Sequence, residues 1–176
     1  DSSLGTPAIQ AASVLLAGRT IGCGTPLLID TDALEARPLL GASIADADGL
    51  DSVLLVQDPG AGGAPITLVS AGGSLDLDTV SGTGLVTIQA GGSITGGDEG
   101  TTLIAPLANL NGTGGVGTLC TPLRMDAGTI SAFSLTGSVF LSDVNSVVLQ
   151  GVIAPNASAT VSVEAVGNIV TDHVES

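Results

Sequence analysis

The chain has 176 residues, of which seventeen are acidic and three are arginine, and it contains no lysine, so its formal net charge is −14. Because nucleic acids and anionic membranes are bound through clustered Lys and Arg, this charge excludes nucleic-acid binding. No apolar run approaches the ~20 residues of a membrane helix, so we expect no membrane insertion either.

In chain order, short apolar runs separated by Gly, Asp, Asn and Pro predict an all-β chain. The predicted strands lie near residues 9–16, 27–29, 44, 50–56, 66–69, 75–80, 85–88, 103–110, 129–134, 139–141, 147–152 and 160–163. Residues 8–16 also have helical propensity. We favour a strand there because this run aligns with residues 103–110, which Pro106 interrupts. The stretches 58–65 and 112–117 are rich in Gly and predict bulges on a coil.

One short phrase occurs twice, as VSAGGSL in residues 69–75 and as IQAGGSI in residues 88–94, nineteen residues later. A looser version, VSVEAVGNIV, occupies residues 161–170. Self-similarity near twenty residues is typical of a solenoid of stacked β-coils, in which no single repeat buries a core alone. The aliphatic composition, with two Phe and no Trp or Tyr, fits an interior of stacked Val, Leu and Ile. We therefore predict one β-helix domain over residues 1–176, with about eight or nine turns.

A longer repeat relates the two halves of the chain. When Pro26 is laid on Pro122, ninety-six residues further on, the flanking Leu and Asp residues also match. The offset is about five turns of nineteen residues. The domain is therefore predicted to contain two related units, at about residues 8–103 and 104–172.

The only cysteines are Cys23 and Cys120, and neither has the CxxC spacing of a metal ligand. About five turns separate them, and at about 4.8 Å per turn this exceeds the reach of a disulfide. We predict two free, buried thiols.

Three carboxylates surround a Gly turn in the segment DADGLD, namely Asp46, Asp48 and Asp51. Alternate Asp residues can reach one hard cation, which makes these three the calcium candidate. The segment departs from known calcium loops, and its counterpart in the second half, around Asp143, keeps one acid. A structural turn is therefore the favoured interpretation, and we expect no metal and no cofactor.

A search for catalytic groups gives none. Polysaccharide lyases need acids together with a Lys or Arg, and hydrolases need acids that converge in one groove. Here most acids sit beside Gly or Thr at corners, where Asp favours turns. His173 is the only histidine, is expected in a solvated tail, and cannot activate a serine from there. We predict that the chain is not an enzyme.

Five segments resemble, in order, the repeat array of filamentous-haemagglutinin-like large exoproteins, and the first half of the chain fits the same template more loosely. These segments are GGSIT, APLANLNGTGGVGT, TPLRMDAGTISA, GSVFLSDVNSVVLQGV and VEAVGNIVTD, between residues 91 and 172. Members of that family are bacterial surface adhesins, commonly exported by two-partner secretion. The resemblance implies a right-handed parallel β-helix in an extracellular adhesin or stalk.

The expected function is thus a structural, adhesive segment of a secreted bacterial surface protein, located outside the cell or at its surface. Its expected partners are adjacent β-helical turns or identical subunits end to end, and a surface receptor on a host or neighbouring cell. One alternative is an extracellular filament whose subunits stack through open coil ends, and a less favoured one is a polysaccharide-degrading β-helix enzyme. We favour the adhesin segment because the resemblance is to very long chains.

Overall fold

The computed structural model describes residues 6–97, 100 and 102–175, and every regular element in these residues is a β-strand. The strands are β1 (Ile9–Gln10), β2 (Ser13–Gly18), β3 (Leu27–Asp30), β4 (Ala33–Pro38), β5 (Ala42–Asp46), β6 (Leu50–Val56), β7 (Ile66–Ser70), β8 (Leu75–Ser81), β9 (Leu85–Ala90), β10 (Ser93–Gly96), β11 (Leu103–Gly112), β12 (Gly115–Val116), β13 (Leu123–Phe133), β14 (Val139–Asp143), β15 (Val147–Ile153), β16 (Val161–Ala165), β17 (Ile169–Thr171) and β18 (Val174–Glu175). Within this part of the chain, no helix is long and apolar enough to cross a membrane.

Each strand pairs in parallel with a strand of the neighbouring turn, so the chain forms a β-solenoid of about seven turns. The predicted all-β parallel coil is confirmed, and the predicted eight or nine turns are slightly too many. The number of residues per turn varies from 17, between Leu27 and Ile44, to 25, between Leu50 and Leu75. Several corners hold more residues than the nineteen-residue repeat predicts, so the same chain length makes fewer turns.

The strands form two rows along the coil. Row A contains β1, β3, β5, β7, β9, residues 107–112 of β11, residues 129–133 of β13, β15, β17 and β18. Row B contains β2, β4, β6, β8, β10, residues 103–105 of β11, β12, residues 123–127 of β13, β14 and β16. The chain passes alternately through the two rows, and both rows run the length of the coil.

The core consists of aliphatic side chains that stack in columns, as the composition predicts. In row A one such column contains Ile44, Leu68, Ile88, Leu110, Ala132 and Val152, all of them buried. In row B another contains Leu50, Leu75, Ile94, Val116 and Val139, also buried. Equivalent positions of parallel strands lie about 4.8 Å apart, so each side chain contacts its neighbours above and below. This spacing favours Val, Leu and Ile over bulky aromatic rings.

The two copies of the seven-residue phrase stack on adjacent turns, since Ser70 pairs with Ala90 and Leu75 pairs with Ile94. Between these strands the corners lie in contact, and the N–H of Gly92 donates to the carbonyl oxygen of Gly73 at 2.8 Å. A Cβ atom on Gly73 would overlap the backbone carbonyl of Asp48 on the preceding turn. The phrase therefore repeats because stacked corners have no room for side chains at these positions.

The ninety-six-residue repeat also has a structural counterpart. Gly22 and Gly117 both have a left-handed φ, of +64° and +66°, and both lie against a strand of the next turn. Asp46 and Asp143 both end a strand and are both buried. The division into units of residues 8–103 and 104–172 stays a prediction.

The length of this repeat differs from the predicted five turns. Successive pairings lead from Ala45 through residues 69, 89 and 111 to Phe133 in four turns, and to Ile153 in five. Ninety-seven residues, from Asp46 to Asp143, therefore fall between the 88 residues of four turns and the 108 residues of five. As a result Asp46 lies in row A, whereas Asp143 lies in row B.

Two local predictions are changed by the structure. Pro106 does not interrupt its strand. It lies where β11 changes partners from β8 to β9 and pairs with neither strand, so no backbone N–H is needed at this position. The predicted bulge at residues 112–117 contains the short strand β12, whereas residues 57–65 form the predicted loop. The run at residues 8–16 forms strand, as predicted, in β1 and β2.

Candidate functional site

Asp46 is the most deeply buried member of the calcium candidate. Its Oδ2 accepts the backbone N–H groups of Gly49, at 2.7 Å, and Asp48, at 3.2 Å, and its Oδ1 accepts that of Thr31, at 3.3 Å. Burial raises the pKa of Asp46 above its ordinary value, although these three N–H groups act in the opposite direction. Oδ2 therefore holds the corner after β5, and Oδ1 ties it to the corner between β3 and β4 on the preceding turn.

Asp48 and Asp51 lie on the surface beside Asp46, and with Asp32 and Asp76 they line a shallow groove. Among the residues that the structure describes, no three Asp, Glu, His or Cys side chains come close enough to hold a metal ion. The structure thus does not assemble Asp46, Asp48 and Asp51 into a cation site. The groove is an acidic, solvated surface.

Asp143 plays the same part as Asp46 in the second half of the chain. Its Oδ2 accepts the N–H of Ala127 at 2.9 Å, and its Oδ1 accepts that of Asn145 at 2.8 Å. In each case one carboxylate joins the corner that follows it to the preceding turn, at the corner residue Thr31 for Asp46 and at Ala127 of β13 for Asp143. This shared structural role explains why the sequence alignment matches the two residues.

The prediction that the thiols are buried is wrong, because Cys23 and Cys120 are both free and exposed. Ile21 and Leu27 pair with Ala42 and Ile44, which are only two residues apart, so the residues between Ile21 and Leu27 must loop outward. Cys23 lies in this loop. Cys120 lies in the corresponding loop between β12 and β13, which forms for the same reason.

Five consecutive strand segments of row A differ in charge from row B. Row B carries charged residues on the strands β4, β6, β8, β13 and β16, namely Glu35, Arg37, Asp51, Asp76, Asp78, Arg124, Asp126 and Glu164. Row A has no charged residue in β7, β9, residues 107–112, residues 129–133 or β15. We call the outward side of these five row A segments the neutral face.

The neutral face is built from columns of side chains that lie in register on successive turns. One outer column is largely aliphatic and contains Leu85, Leu107, Thr129 and Val148. Leu85, Leu107 and Val148 are 40%, 46% and 40% exposed. The next column is small and polar and contains Thr67, Thr87, Asn109 and Ser131. The face is therefore an uncharged sheet with exposed apolar groups beside neutral hydrogen-bonding groups.

The first and last coils have edge strands with a described partner on one side only. At one edge these strands are β1 and β2, and at the other they are β16, β17 and β18. Val166 and Val170 are exposed at the second edge. His173 is exposed, as expected, but it lies within the last coil, where its carbonyl accepts the N–H of Val152 and its ring lies 3.3 Å from Glu175.

Comparison of the chain with known protein families, with curated proteins and with solved structures gave no match.

Proposed function

We propose that the chain is a structural, adhesive segment of a secreted bacterial surface protein, in which the β-solenoid forms a rigid stalk without catalytic activity. The observation that carries this proposal is the unbroken stack of about seven turns around one aliphatic core. The sequence resemblance to filamentous-haemagglutinin-like exoproteins supports an extracellular location, export by two-partner secretion and a right-handed coil.

Rigidity follows from the way the turns are joined. Two rows of parallel backbone hydrogen bonds connect each turn to the next, and buried columns such as Leu50, Leu75 and Ile94 continue through them. Bending the coil would therefore stretch these hydrogen bonds and separate the stacked side chains at the same time. Each turn adds about 4.8 Å, so about seven turns make a segment roughly 34 Å long. A stalk of this kind holds an adhesive surface away from a cell, and it can be built by stacking one short structural repeat.

The adhesive part of the proposal is tested with beads that carry the purified chain. Their attachment to host epithelial cells and to bacterial cells is compared with that of beads carrying an unrelated acidic protein of matched size and net charge. We expect attachment above this control that saturates with bead coating and is inhibited by the soluble chain. Attachment equal to the control on every cell type would contradict the adhesive role.

The absence of catalysis is tested separately. The chain is incubated with a panel of acidic and neutral polysaccharides, with and without calcium, and the products are separated by size. We expect no cleavage. Reproducible products that disappear with heat-inactivated protein would favour the polysaccharide-degrading alternative instead.

The filament alternative is supported by the order of the edge strands. On a second copy placed head to tail, β1 would continue row A over β18, and β2 would continue row B over β16. The strands β2 and β16 have six and five residues, so their lengths agree. An end-to-end contact of this kind does not close on itself and generates fibres.

Electron microscopy distinguishes the filament from the stalk. Fibres with an axial repeat of roughly 34 Å, the length of seven turns, would establish the filament. Such fibres should disappear in Val163→Lys, which places a charge among the inward residues of β16, and persist in Ser162→Lys on the same strand. A chain that forms no fibres at high concentration supports the stalk segment.

A further inference from the structure

We propose that the neutral face is an interface through which two copies of this chain associate side by side. The occupant of the face is a second copy of the same face, in a closed pair whose two solenoids lie against one another.

The distribution of charge favours this arrangement over other contacts between copies. Each chain carries a net charge of −14, so two copies repel one another in most orientations. The strands of the neutral face carry no charged residue, whereas row B carries acids such as Asp76, Asp78 and Glu164. A pair formed through the neutral face places the charged residues of both row B surfaces away from the contact. Apolar burial therefore meets less repulsion in this orientation than in a contact through row B.

The chemistry of the face fits a second sheet. β-Sheets pack face to face about 10 Å apart when both present apolar side chains. Leu85, Leu107 and Val148 supply an exposed aliphatic column across four turns. The neighbouring column, with Thr87 and Asn109, offers neutral donors and acceptors that can pair with the same groups of a second copy. No charge would have to be buried.

The size of the face predicts a weak pair. Five strands about 4.8 Å apart, with about five residues each at about 3.3 Å per residue, cover roughly 24 Å by 17 Å, or about 400 Å² per copy. A symmetrical pair would bury on the order of 800 Å² in this projection, which is small compared with the ~1,200–2,000 Å² of stable interfaces. We therefore expect reversible association that becomes visible only at high protein concentration.

Sedimentation velocity over a wide range of protein concentrations tests the proposal. The mass should rise from the 16.9 kDa of one chain toward twice that value and stop there. Because salt screens the repulsion between the two acidic chains, added sodium chloride should shift the rise to lower concentration. If opposite charges held the interface together, added sodium chloride would instead shift the rise to higher protein concentration.

Two matched substitutions locate the contact. Asn109→Asp adds one carboxylate to an exposed position near the centre of the neutral face with almost no change in shape. Ser142→Asp adds the same charge in row B, between Arg124 and Glu164. We expect Asn109→Asp to weaken association at least tenfold and Ser142→Asp to leave it close to that of the unchanged protein. Both variants should keep the original circular dichroism spectrum, which shows that the fold survives.

Three results would overturn the proposal. The first is a monomer at every concentration and salt level. The second is equal association of Asn109→Asp and Ser142→Asp. The third is growth beyond two copies that Val163→Lys abolishes, because this would place the contact at the coil ends rather than on the neutral face.

Discussion

Replacing Gly73 with Ala should destabilise the coil through a single backbone clash. Gly73 belongs to the repeated phrase and lies in a corner that stacks on Asp48 of the preceding turn and on Gly92 of the next. An added Cβ would overlap the carbonyl oxygen and carbon of Asp48. Because the obstacle is backbone rather than a flexible side chain, the corners of Asp48 and Gly73 must move apart. The hydrogen bonds that join these two corners, from the N–H of Ala71 to the carbonyl of Asp46 and from the N–H of Leu50 to the carbonyl of Ser74, must then lengthen.

The expected loss is about 3 kcal/mol of unfolding free energy, at the upper end of what overpacking costs, because relaxation must displace a hydrogen-bonded strand end. For a chain of this length, such a loss lowers the melting temperature by about 6–12 °C. Gly151→Ala is the matched control, since no atom lies within 4 Å of a Cβ built at Gly151. There the same substitution should change stability by less than about 1 kcal/mol.

Thermal and denaturant unfolding, followed by circular dichroism in the β-sheet region, measures both variants under the same conditions. Hydrogen exchange then shows whether protection is lost first in the strands that flank the Gly73 corner, as expected if the damage is local. If Gly73→Ala and Gly151→Ala unfold at the same temperature, the corners are not in contact, and the explanation given for the repeated phrase is wrong.

Three further predictions concern the core, one buried acid and the thiols. Ile88→Ala should cost about 2–5 kcal/mol in denaturant unfolding, because it opens a cavity within a buried column, whereas Ala at the adjacent exposed Gln89 should cost under about 0.5 kcal/mol. Burial raises the pKa of Asp46, so the folded state favours the protonated form of this carboxyl more than the unfolded state does. Asp46 therefore adds stability at low pH, and this contribution is lost as the pH rises from 3.8, the ordinary pKa, through the raised pKa of the folded state. The unfolding free energy of the unchanged protein, relative to Asp46→Asn, should therefore increase as the pH falls through that range, and a difference that is independent of pH would contradict this reasoning. Cys23 and Cys120 should both react with a thiol reagent in the native state, giving two thiols per chain, and a reaction that requires denaturant would show that they are buried.

The general architecture could be predicted from the sequence because the constraints are local and repeat. A stacked corner excludes Cβ atoms, which forces Gly73 and Gly92 into the same place in successive repeats. A narrow interior excludes bulky rings, which leaves Val, Leu and Ile. The carboxylates at Asp46 and Asp143 were likewise recognisable as turn residues, because both lie beside short corners.

The tertiary structure alone decided which residues share a surface. Which residues lie in one column depends on the number of residues in each corner, and this number varies from one turn to the next. Leu85, Leu107 and Val148 lie in one column although unequal spacings separate them in the sequence. The outward loop of Cys23 has the same origin, since its residues exceed what the neighbouring turn can pair. A local pattern specifies a coil, whereas the register between its turns depends on the sum of all the corners and becomes visible only when the coil is folded.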